Sequence, residues 1–132
     1  MSKKILGLGL LTIASFILIM ISCTKTTTVP IDETPAITTT VSFSKDIQPI
    51  LTKSCAVSGC HSGTVAPNLS DATAYNALEN GNFINTSTPK SSDVYLWLTG
   101  KKAVPMPAGA ANNPSNINAL MLAWITQGAK NN

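Results

Sequence analysis

The 132-residue chain has no arginine, one histidine and little charge of either sign, 11% of its residues. Its nine basic residues are all lysines and build no cluster. A nucleic-acid surface needs cationic side chains gathered on one face, so that class of partner is excluded. Neither sign forms a patch that would steer an oppositely charged protein. Strand-like alternation and internal repeats are missing too, which leaves helices as the expected regular structure. Potential metal ligands are equally scarce. A structural zinc site takes four N, S or carboxylate ligands, whereas beyond Cys23, which ends the apolar N-terminal segment, the strong donors are three and all local: Cys55, Cys60 and His61.

One long apolar run is present. Residues 1–22 carry Lys3 and Lys4 and then an uncharged stretch from Ile5 to Met20, the pattern of an export signal. It ends in Met20-Ile21-Ser22-Cys23, which resembles the bacterial lipobox, where the cysteine is lipidated and becomes the mature N-terminus. The other reading is an uncleaved anchor, since eighteen residues from Ile5 to Ser22 would span about 27 Å as helix. Both readings tether the remainder on the exported, periplasmic side. Thr24 after Cys23 leans by the same resemblance toward the outer membrane rather than the inner. Removal of Lys3 and Lys4 takes the formal net charge from +3 to +1.

Residues 23–42 follow as the lipidated cysteine and a spacer. The eight threonines and two prolines of 24–42 show no helical period and read as a polar, proline-stiffened linker. The folded domain is expected over residues 43–132. A chain that short is marginal as a self-sufficient core.

Helical signals dominate it. Phe43, Ile47, Ile50 and Leu51 share one face, Ser44 is placed to cap the first turn, and Pro49 predicts either a kink or a later start of the regular helix. Ser70-Asp71 opens a second segment with Tyr75 and Leu78 on one side and Gly81 as its stop. Ser91 or Ser92 caps a third, and Gly100 ends it. After Pro114-Ser115, the residues Ile117, Leu120, Met121, Trp124 and Ile125 form an apolar stripe closed by Gly128.

Chemistry concentrates in Ser54-Cys55-Ala56-Val57-Ser58-Gly59-Cys60-His61. A cysteine directly before a histidine, with a second cysteine shortly upstream, is the pattern of covalent haem attachment. Two thiols add across the haem vinyl groups, and the following His61 projects toward the iron. The usual spacing between the cysteines is two residues, and here it is four. Positions five apart on an ideal helix differ in direction by about 140°, so the segment is expected to loop out at the pliable Ser58-Gly59 pair. A Cys55–Cys60 disulfide with His61 at the surface is the competing reading, since an exported protein meets an oxidising compartment.

A low-spin haem iron needs a sixth ligand. No second histidine exists, and of the methionines beyond the export segment Met121 is accounted for by the stripe of the last helix. Met106 lies between Pro105 and Pro107 in a loop without helical period. Iron ligation and cover for a core edge are the two readings of it.

The order Phe43 to Leu51, Cys55…Cys60-His61, Pro67-Asn68-Leu69, Ser92 to Tyr95, Met106-Pro107 and Leu122-Ala123-Trp124-Ile125 resembles the class I, mitochondrial-type cytochrome c domain of exported bacterial proteins, over nearly all of 43–132. The resemblance implies an all-α fold of about three to five short helices around one haem. It implies first and last helices that cross, with Phe43, Ile47 and Leu51 against Leu120 and Trp124. It implies covalent haem c on Cys55 and Cys60, with His61 proximal and Met106 distal to the iron. The activity expected is electron transfer rather than catalysis, by a monomer meeting redox protein partners transiently and held to its membrane through Cys23. Two other classes compete: a haem-free structural or binding lipoprotein with a Cys55–Cys60 disulfide, and a haem protein with an open sixth site of the sensor or peroxidase kind. Lack of arginine and of a second histidine speaks against the last.

Overall fold

The computed structural model describes residues 36–108 and 115–132. The export segment, Cys23 and most of the spacer lie outside the described residues, as does Pro114. Among the described residues all regular structure is helical and no strand occurs, so the chain is all-α there.

The first element differs from the expected helix in an instructive way. Phe43–Ile47 forms a π-helical turn in which the Gln48 N–H reaches back to the Phe43 carbonyl, and the regular helix α1 runs only over Gln48–Ser54. Pro49 stands in its first turn, the part of a helix where proline is best tolerated. The cap is Ser42 rather than Ser44. Its Oγ accepts from Lys45 N at 3.3 Å while its own N–H donates to Asp46 Oδ2 at 2.7 Å, a reciprocal pairing of the capping-box kind. Ser44 is instead tied to the other end of the domain, its N–H donating to Asn132 O at 2.9 Å.

Helix α2, Ala74–Asn80, buries Ala74 and Leu78. Gly81 ends it at φ −79°, so left-handed freedom is not what the glycine supplies. A Cβ there would run into the Phe83 ring and stand 2.8 Å from the Ala77 carbonyl, and space is the constraint. The left-handed residue is the next one, Asn82 at φ 56°. A 3-10 turn, Pro89–Ser91, leads into α3, Asp93–Leu98. Ser92 is its N-cap residue, but no side-chain cap bond forms; its buried hydroxyl accepts from Asn85 N at 2.9 Å.

Helix α4, Ser115–Thr126, is the longest. Met121, Trp124 and Ile125 are all but fully buried, while Leu120 is partly so. Gly128 at φ 96° turns the chain out of the helix, and the following Ala129 N–H returns to Trp124 O at 2.9 Å. The Phe43 ring lies 5.2 Å from Trp124 and 5.3 Å from Tyr75 by centroids. First and last segments thus meet through this aromatic trio, with Ile47 and Leu51 in the same core.

Packing begins upstream of residue 43. Val41 is buried and Ile37 packs on the core. Gln127, just beyond α4, holds this strap as a neighbouring strand would: Val41 N donates to its Oε1 at 2.8 Å, and its Nε2 donates to Thr39 O at 3.0 Å. Ser42 Oγ and Phe43 N add bonds to Asn132 at 2.7 and 2.9 Å.

Candidate functional site

The segment after α1 is a loop built by backbone hydrogen bonds. Cys55 is the C-cap residue of α1. Cys60 N donates to Val57 O at 3.0 Å, and His61 N donates to Cys55 O at 3.1 Å, closing the four intervening residues into a small knot. Gly59 lies at φ 79° with open space where a Cβ would be, so it is present for its left-handed backbone. This is the looping-out anticipated at Ser58-Gly59. Downstream, Val65 N donates to Cys60 O and Leu69 N to His61 O, which fixes the chain on both sides of the histidine.

The His61 side chain is fixed as well. Its Nδ1 lies 3.0 Å from Pro67 O and 3.3 Å from Val65 O. Carbonyls only accept, so Nδ1 is the donor in this contact, and a neutral imidazole held this way has its lone pair on Nε2. Metal-binding histidines are oriented by the same arrangement, one ring nitrogen donating to a carbonyl while the other faces the metal.

His61 lines a pocket of about 210 Å³. Around it stand Cys55 at the end of α1, Val65 to Pro67 from the loop, Leu78 and Phe83 from around α2, Trp97 and Leu98 of α3, and both Met106 and Met121. Apart from His61 and Cys55, every side chain of this wall is apolar or aromatic. Met106 is positioned by α3, its N–H donating to Trp97 O at 3.2 Å. Trp97 is in turn packed on Phe83 at 5.5 Å and covered by Lys102, which pairs with Asp93 at 2.7 Å.

Cys55 and Cys60 are both free thiols, Cys55 half-buried and Cys60 exposed. Burial, and after it the neighbouring Cys60, pushes the Cys55 thiol above its ordinary value. Cys60 does not itself line the pocket. Among the described residues no group of three or more His, Cys, Asp or Glu side chains comes together as a metal site.

Four of the residues singled out in the sequence thus gather in one region: Cys55, His61 and Met106 on the wall and Cys60 next to His61. Cys23 lies outside the described residues. Met121 is the main addition, because its helical stripe explained it as core and the pocket wall claims it as well. Phe83 and Trp97 were equally hidden, their neighbours giving no chemical signal. Tyr95, the end of the Ser92 to Tyr95 segment, is buried in the core and does not line this wall. No family model matches the chain, and neither a curated protein nor a solved structure does.

Proposed function

We propose that this chain is a single-haem c-type cytochrome of the class I kind, tethered to a membrane through Cys23 and carrying one electron between protein partners. The observation that supports it most is the company His61 keeps. A histidine with Nδ1 committed to backbone carbonyls shares one apolar pocket with Cys55 and Met106. With Cys55 taken up in a thioether bond, His61 and Met106 leave two donors, the number for an iron whose other four positions belong to a macrocycle.

A haem bound here supplies a one-electron Fe(III)/Fe(II) couple. Cys55 and Cys60 would hold it by thioether bonds. His61 would be the proximal ligand and Met106 the distal one, a thioether that favours Fe(II). The apolar wall excludes water from the ring faces and disfavours the more charged oxidation state in the same direction. At about 210 Å³ the pocket is smaller than the roughly 300–1,000 Å³ of a site that engulfs its ligand. A group larger than this volume would be enclosed only in part, and electron exchange with a partner would run across a small transient contact.

The deciding experiment is expression in a host with c-type maturation, followed by denaturation, acid–acetone extraction and a reduced pyridine spectrum. A c-type spectrum on the extracted chain, with a mass gain of one haem, is the expected result. A colourless chain with Cys55 and Cys60 joined would overturn it in favour of a disulfide module.

A further inference from the structure

Gln48, the first residue of α1, is buried, with 8% of its surface exposed. Its Nε2 donates to Leu69 O at 3.2 Å and to Asp71 Oδ1 at 3.0 Å, and lies 3.1 Å from Thr52 Oγ1. Thr52 in turn donates its hydroxyl to Asp71 Oδ1. Turning the amide over would set Oε1 against a carbonyl and a carboxylate, both acceptors, so the chemistry fixes its orientation. Oε1 itself accepts no hydrogen bond among the described residues. A buried acceptor left unpaired costs stability, so an apolar side chain would fill this place better if packing were all it did. What the glutamine adds is its nitrogen, and the buried acceptor of that nitrogen is the Leu69 carbonyl.

Leu69 links this amide to the histidine. Its N–H donates to His61 O at 2.7 Å while its carbonyl accepts from Gln48, and its buried side chain lines the His61 pocket. Pro67, whose carbonyl receives Nδ1 at 3.0 Å, stands two residues before it. Helix α1 thus ends on Cys55 and starts on the side chain that anchors the loop facing His61. We propose that Gln48 is a positioning residue for His61: it ties Leu69 to α1 and thereby keeps the Pro67 carbonyl on Nδ1. A histidine that donates in this way is a more basic ligand, and a more basic ligand favours Fe(III). Under the haem reading above, on which this consequence rests, Gln48 holds the reduction potential down although it does not itself line the pocket.

The chain has one histidine, so NMR of isotope-labelled histidine shows a single imidazole. In Gln48→Met, which keeps the length and loses the donor, solvent exchange of the His61 Nδ1–H is expected to run at least about tenfold faster than in the unaltered chain. The midpoint potential of the haem-loaded variant should rise, giving about threefold more Fe(II) relative to Fe(III) at the unaltered protein's midpoint, a shift of about 28 mV. Gln127→Ala, which weakens the strap instead, should leave both readings unchanged. Gln48→Asn, too short to reach Leu69 O, repeats the measurement should the methionine variant fail to fold. Exchange and potential unchanged in a folded Gln48 variant, or shifted equally by Gln127→Ala, would overturn the inference while leaving haem binding intact. A chain without covalent haem would overturn the haem reading alone, because Nδ1–H exchange needs no iron and still decides whether Gln48 holds His61.

Discussion

At the scale of single residues, Met106 and Cys55 give the sharpest outcomes. Met106→Ala should retain covalent haem, because attachment is assigned to Cys55 and Cys60. It should also lower the reduction potential and open the iron to cyanide, which a potentiometric titration and a cyanide-binding rate would detect. Unchanged potential and slow binding would transfer the distal role to Met121, which shares the wall. In haem-free chain, Cys55 makes a second prediction. Its folded thiol holds the proton more tightly than the ordinary value of 9.0. The stabilisation is therefore complete below that value and is lost as pH climbs through the higher folded one. The urea midpoint should fall on the alkaline side, and Cys55→Ser should flatten the fall. Tyr75, raised mainly by burial and then by Glu79, shifts in the same direction in both proteins and cancels from the comparison. These residues were legible in the sequence because their chemistry is rare in it: one histidine and two thiols beyond Cys23. Met121, Phe83 and Trp97 were not, since an apolar side chain on a pocket wall has the same pattern as one in a core.

At the scale of elements, helix position was readable and helix termini less so. A helix formed in each of the four segments where one was expected. Caps misled, because a serine can satisfy its hydroxyl elsewhere: Ser44 binds Asn132 and Ser92 binds Asn85 rather than a helix start. Gly81 and Gly59 illustrate two reasons for one residue type. Gly81→Ala must push the Phe83 ring off its place and crowd the Ala77 carbonyl, so a loss of about 2 kcal/mol or more is expected in urea unfolding, with Phe83 displaced from the pocket wall. Gly59→Ala meets no neighbour and costs only the left-handed backbone, about 1–2 kcal/mol. Haem loading should report the difference, with the Gly59 variant slowed at attachment by a strained knot and the Gly81 variant altered in the spectrum of the bound state.

At the scale of the whole molecule, the folded unit is larger than its apolar period suggests. Thr39 to Ser42 looked like linker because threonines carry no burial signal, and their docking depends on a side-chain amide far along the chain. Gln127→Ala removes two hydrogen bonds to this strap and should destabilise the domain by about 1–2 kcal/mol, measured by urea midpoint at constant slope, with amide exchange at Val41 accelerated most. A midpoint unchanged within error would mean that the strap is held by Val41 burial alone.

That strap also sets where mechanical load enters. If residue 23 is fixed to a bilayer, any drag on the domain arrives through Thr39 to Phe43 and passes into Gln127 and Asn132 by a short row of hydrogen bonds. None of these partners belongs to the wall around His61. The strap is a fuse in series with the tether: this short row of hydrogen bonds is the first that tension meets, and its parting would lengthen the leash before load reaches α1 and, beyond it, Cys55.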